Sequence, residues 1–218
     1  LSYVVYTNET NAFLAQLPLI QEKVVDILRS SPADLVHAEV YLCMRVFLCR
    51  FASQHLTGFW PIILTEMVRI LAQAKVDLPP DKSDRLQLVF SVVKLADFLI
   101  TLQTDDFQIH QWLFITDTPD ATNPASFYMA DSLLDCLAKF VSECERELVF
   151  DANDSLERAQ QRRPLLQVSS VTTMSTLQPF FATASRAFYQ CDFHAPLDWD
   201  NINSCLLCDL FEPIRTNA

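Results

Sequence analysis

From Phe13 to Leu28 the apolar residues Phe13, Leu14, Leu17, Val24, Val25 and Leu28 recur near helical spacing, which predicts a helix over about 10–29. Pro18 has no amide hydrogen and should kink or split it. Ser31, Pro32 and Asp34 then read as an N-cap, a first helical position and a capping-box acid. The helix they open, to about residue 52, is apolar nearly all round, as suits the middle of a bundle.

In "HLTGFWPIILTEMVRIL" (55–71), Pro61 fits a first turn, and Phe59, Ile63, Met67 and Ile70 form one stripe. After the breaker "DLPPDKSD" (77–84) comes "RLQLVFSVVKLADFLITL". Its Leu88, Val92, Leu95, Leu99 and Leu102 alternate at spacings of 4 and 3. This zipper-like seam spans fewer than the three or four heptads that argue a coiled coil. It therefore has two readings, a buried bundle helix or a dimerisation seam.

Asn123 and Pro124 open a further helical stretch, in which Leu133, Leu134, Leu137, Phe140, Val141, Cys144 and Leu148 define a buried face. The polar run 151–164 reads as a linker or loop, followed by helices over about 174–190 and 200–212. No repeat of 30 to 45 residues is visible. The expectation is an all-α fold, a multi-helix bundle or short α-solenoid-like array. It would form one helical domain over 1–218, with 165–218 as a C-terminal subregion.

Composition sharpens this picture. Gly58 is the only glycine in 218 residues. Phosphate-cradling loops, dinucleotide-binding turns and the nucleophile elbow each need at least two, so those enzyme classes are excluded. Half of the residues are hydrophobic, 16 of them Phe, so much apolar surface must be buried internally or against a partner. The net charge of −11 opposes nonspecific binding to nucleic acid, and no nucleic-acid partner is expected. Seven scattered cysteines suit a reduced, cytoplasmic setting. No apolar run reaches the roughly 18 residues of a membrane span. The chain begins at Leu1 rather than Met, and we expect a C-terminal piece of a larger protein.

Candidate chemistry comes in three clusters. Cys191 and His194, with Cys205 and Cys208, form two closely spaced pairs of tetrahedral zinc ligands. The competing reading places Ile202, Cys205, Leu206 and Leu210 on one helix face, with cysteine as a small hydrophobe. Zinc would imply a metallohydrolase. His37-x-Glu39 matches half of a zinc-deaminase signature but lacks its cysteine partner. Arg158, Arg162 and Arg163 are the one notable basic cluster. They suit either a solvated linker or a contact with a phosphoinositide headgroup. In "DDFQIHQWLFITDT" (105–118), Asp105 and Asp106 are placed to cap a helix, and His110 lies one turn past Asp106. No nucleophile–base signature accompanies them.

Three segments, "HLTGFWPIILTEMVRIL", "LADFLITLQTDDFQIHQWLFITDT" and "RRPLL" (162–166), resemble in that order the C-terminal region of the Dopey family. "FLAQLPLIQEKVVDILR" (13–29) and "LDWDNINSCLLCDLFEP" (197–213) are similar too, so the resemblance covers most of the chain. It implies a large, mostly helical cytoplasmic scaffold, peripheral on Golgi and endosomal membranes and working in endosome-to-Golgi transport, with no catalytic residues and no cofactor. The implied partners are a large helical-repeat scaffold related to Arf exchange factors and a phospholipid flippase. A leucine-zipper-like homodimer through Leu88, Leu95 and Leu102 is implied as well. Some members link organelles to kinesin or contact phosphoinositides, which gives the alternative of a lipid-recognising module. On this reading Phe107, Ile109, Trp112, Leu113 and Phe114 pack a structural corner, with Asp105 and Asp117 capping backbone amides.

Overall fold

A computed structural model describes residues 1–115, 132–144 and 162–211. Among these residues the regular structure is helical, apart from one isolated bridge between Arg162 and Leu197. The helices are α1 (Ser2–Thr7), α2 (Leu17–Ser30), α3 (Asp34–Arg50), α4 (Trp60–Val76) and α5 (Asp84–Leu102). After these come α6 (Asp105–Gln108), α7 (Leu133–Cys144), α8 (Gln178–Gln190) and α9 (Trp199–Phe211).

Helices α3 and α5 pack along each other as the central pair. Both are apolar on nearly every side, so neither can leave a face in water without large cost. Helix α4 packs on α5 and α7, α7 pairs with α8, and α1, α2 and α9 lean on α3. The buried side chains of all these elements form one connected cluster.

The local chemistry of the helix ends differs in places from expectation. Pro18 starts α2 instead of kinking it, after a 3-10 turn over Leu14–Gln16. Ala33, not Ser31, is the N-cap of α3, while the Ser31 hydroxyl accepts the Ala33 amide at 3.3 Å. Ser83 caps α5 by accepting the Leu86 amide at 3.1 Å. With glycine so scarce, left-handed backbone falls to Asn11, Lys82 and Gln103, the last closing α5. Gly58 has another use. A Cβ there would stand 2.6 Å from the Gln21 side-chain amide, which donates to the Gly58 carbonyl at 2.7 Å.

The zipper-like stripe faces the interior. Leu88, Val92, Leu95 and Leu99 are fully buried, and Leu102 is half-buried against the same core. A seam closed by its own fold offers nothing to a second copy, so self-association through this stripe is corrected to intramolecular packing. Helix α1, which no sequence pattern announces, covers part of α3 through buried Val5. The expected start at Asn123 and Pro124 lies outside the described residues, as does Leu148; within them Leu133–Cys144 forms α7, with Leu134, Leu137 and Val141 buried as expected. No helix among the described residues is long and apolar enough to cross a membrane.

Candidate functional site

The segment "DDFQIHQWLF" divides into two halves. Phe107 and Phe114 are fully buried, with ring centroids 6.0 Å apart. Ile109 and Trp112, expected to pack the same corner, are instead 70% and 67% exposed. The break at Ile109 explains this. Helix α6 lasts one turn, and a 3-10 turn over Gln111–Leu113 rotates the next side chains outward.

Ile109, with Asp106, His110 and Leu113, forms one wall of a groove of about 580 Å³ whose other wall is α4; Trp112 is not part of this lining. Trp60, Leu64 and Val68, four residues apart, make an apolar row along α4, and Ile109 and Leu113 face it. The polar groups of the lining include Asp106 and His110. Asp106 does not cap its helix as expected; its carboxylate accepts the Trp60 indole N–H at 3.0 Å and so ties the two walls together. Thr104 is the N-cap by position but makes no side-chain cap bond, and Asp105 is exposed in the first turn of α6. Asp117 lies outside the described residues.

The other candidate clusters are occupied by structural work. The Arg162 guanidinium donates to the Thr101 and Leu102 carbonyls at 3.3 and 3.2 Å, and to the Phe193 and Ala195 carbonyls at 3.1 and 3.4 Å. It satisfies the orphan carbonyls at the end of α5, where a cation also meets the helix dipole favourably. A guanidinium engaged this way has little left for a lipid phosphate. Arg163 is half-buried beside it, and Arg158 lies outside the described residues.

No group of three or more metal-ligating side chains comes together among the described residues. Cys191 lines a small space of about 20 Å³ next to Arg162, His194 is exposed, and Cys208 is exposed on α9. Cys205 faces Asn201 at 3.7 Å, and burial pushes both its thiol and that of Cys191 upward. A raised thiol pKa disfavours the thiolate that binds metal or attacks substrate. The space beside Cys191 holds about one water molecule.

A buried ionic cluster lies beyond these expectations. Asp209 of α9 pairs with both Arg45 of α3 and Lys94 of α5, and all three side chains are at most 6% exposed. Arg45 also lies over the Phe98 ring and Lys94 over the Phe90 ring. Burial holds the Lys94 ammonium below its ordinary value, as does Arg45, while Asp209 pulls it back up. One turn further along α5, Asp97 accepts the Leu165 and Leu166 amides at 3.1 and 2.8 Å. Burial lifts its carboxyl to about 6, against the pull of those amides and of Lys94 and Arg45. These groups pin α9 and the segment at Leu165 and Leu166 onto α5. The signal for them is present in the sequence, since Arg45, Lys94 and Asp97 interrupt otherwise apolar runs and must be paired.

Comparison with known proteins agrees with the sequence motifs. The family described as DOP1 C-terminal matches residues 1–193. Protein DOP1B of Mus musculus is 28% identical over 86% of this chain and 10% of its own length. Protein pad-1 of Caenorhabditis elegans is 30% identical over 84% of this chain and 8% of its own. The Drosophila melanogaster DOP1 homolog is 38% identical over 40% of this chain and 3% of its own. The chain thus spans about a tenth or less of the length of these relatives. No solved structure matches it.

Proposed function

The chain belongs to the DOP1 C-terminal family, and from that premise we propose that it is a non-enzymatic helical interaction domain of a Dopey-like membrane-trafficking scaffold. In this reading it serves endosome-to-Golgi transport, peripheral to those membranes, by presenting a rigid helical surface to a protein partner. The partners proposed are the helical-repeat scaffold related to Arf exchange factors and the phospholipid flippase.

One observation carries the reading: Ile109 of the α4–α6 groove stands largely in water, and Trp112, three residues on and outside the groove lining, is exposed as well. Large apolar side chains left exposed in and beside a groove mark a candidate interaction surface. Most other large apolar side chains pack in the core, although Val76, Trp199 and Phe211 among others also stand exposed elsewhere.

The test is co-precipitation of the full-length protein with each partner, comparing wild type with Ile109→Asp and Trp112→Ala. Both positions are exposed, so thermal stability should hold. At least a tenfold loss of recovery with one of the partners is expected. Undiminished recovery of both partners by both variants contradicts the reading.

A further inference from the structure

We infer that the face of α3 and α5 beneath α9 is a binding site for an acidic amphipathic helix, and that α9 occupies it as a built-in, exchangeable ligand. The site shares no residue with the α4–α6 groove and is independent of the function proposed for that groove.

Helix α9 is held as a bound helix is held. Nearly every residue of α5 is buried, whereas Ile202 and Leu206 are the fully buried residues of α9, with Leu210 half-buried after them. Ile202, Leu206 and Asp209 fall at i, i+4 and i+7, the anchoring pattern of a helix laid in a groove. Trp199, Leu207 and Phe211 of the same helix stand exposed. Beside the anchors, the Tyr6 hydroxyl donates to Asn203 at 3.2 Å and the Tyr3 ring meets Phe211 edge-on. The chain ahead of α9 is fixed separately. The Asp198 amide donates to the Arg162 carbonyl at 3.1 Å, and the Arg162 side chain holds the Phe193 and Ala195 carbonyls. Helix α9 can therefore lift about residue 199 without loosening what precedes it. The family match, over residues 1–193, includes the site and not the helix that fills it.

The chemistry of the site selects a carboxylate. Arg45 and Lys94 come from the central pair α3 and α5, with side chains 3% and 5% exposed. Each lies over a phenylalanine ring, Phe98 and Phe90 respectively. Asp97, the other acid that acts on them, is committed to the Leu165 and Leu166 amides. Asp209 therefore supplies the carboxylate that the two cations share, and it does not exhaust them. The buried Arg45 Nε has no acceptor among the described residues. Coulombic gain in a buried ion pair is largely offset by desolvation. The net hold of these pairs on α9 is thus modest, and their effect is selective. A helix with no acid at i+7 would strand two buried cations, a penalty that rejects it.

Ile202→Asp puts a charge on a buried anchor of α9 and should eject the helix while leaving the site intact. The probe is a fluorescein-labelled peptide of residues 198–211, titrated by anisotropy onto the 218-residue chain and onto its Ile202→Asp variant. The peptide should bind the variant at least tenfold more tightly than wild type, whose own α9 competes for the site. The same peptide carrying Asp209→Asn should bind the variant at least tenfold more weakly. Adding Lys94→Met to the variant should cut that preference at least threefold. Native-state hydrogen exchange of the wild-type chain gives a second reading. Amides of 203–211 should exchange through an opening at least a hundredfold more frequent than that of α3 and α5. Cooperative loss of the whole helical circular dichroism signal in Ile202→Asp makes α9 an integral part of the core and overturns the inference. Exchange of α9 in step with α3 and α5 does the same. Failure of the peptide to bind the variant, or equal binding to variant and wild type, also overturns it. Equal binding of the Asp and Asn peptides, or a preference unmoved by Lys94→Met, removes the selection for a carboxylate and with it the inference.

Discussion

Replacing Asp209 by Asn removes the one carboxylate paired with two buried cations, Arg45 and Lys94, while keeping the size and shape of the side chain. At an effective dielectric near 20, unit charges about 4 Å apart attract by about 4 kcal/mol. Two such attractions come to about 8 kcal/mol. Burying the Asp209 carboxylate offsets several kcal/mol of this. The remainder is about 3–5 kcal/mol, the usual cost of breaking a buried ion pair by removing one partner. Lys94 adds a signature in pH. Its ammonium is already held below the ordinary value, and without Asp209 it falls further. A lysine depressed in the folded state destabilises folding while protonated in the unfolded chain, so the variant should regain stability as pH rises toward the ordinary lysine value. Urea denaturation of wild type, Asp209→Asn, Lys94→Met and the double variant at pH 7 and 9 measures all of this. The expected result is a loss of about 3–5 kcal/mol for Asp209→Asn. The double variant should lose less than the two single losses added together, because one buried cation goes with its partner. A loss under about 1 kcal/mol, or strict additivity of the two substitutions, would show that the three charges do not depend on one another.

Three further outcomes are expected. The Asp97 carboxyl, held at about 6 in the fold and near its ordinary value unfolded, contributes stability that is complete below about pH 4 and lost as pH rises through about 6. Unfolding of wild type against Asp97→Asn should therefore diverge by about 3 kcal/mol between pH 4 and 7, in favour of the variant, because each pH unit separating the folded and unfolded titrations is worth about 1.4 kcal/mol. Arg162→Ala strips four carbonyls of their donor and should cost about 1–3 kcal/mol, with amide exchange rising at the end of α5. Phe107→Ala, in the core, should cost about 3–5 kcal/mol, whereas Trp112→Ala should change stability by less than about 0.5 kcal/mol; calorimetry of the two variants side by side checks the division of that segment.

Long apolar runs make most of the fold legible in the sequence. The stripe of Phe59, Ile63, Met67 and Ile70 is fully buried, and α5 and α9 begin and end within a residue of where periodicity puts them. Helix α8 ends where expected, but the first four residues of that stretch, Met174–Leu177, wind as a 3-10 turn ahead of Pro179. Helix α1 is hidden because six residues give too little period to read. The capping expectations at Ser31 and Asp106 fail for a common reason. A side chain near a helix start has several acceptors and donors within reach, and tertiary contact decides among them; for Asp106 it is the Trp60 indole. Exposure of Ile109 and Trp112 is hidden because composition marks them as core residues. Only the one-turn length of α6, set by packing around Phe107 and Phe114, turns them outward. The arginine cluster reads as a headgroup contact because sequence shows charge but not the carbonyls that Arg162 already serves.

The proposed function rests on the groove between α4 and α6. Hydrogen exchange of the full-length protein, alone and with the helical-repeat scaffold bound, reads it directly. If the groove is the docking surface, binding slows exchange in peptides spanning 57–68 and 105–113 and leaves the buried α5 unchanged. Protection confined to other surfaces, with those two stretches exchanging as in the free protein, would contradict it.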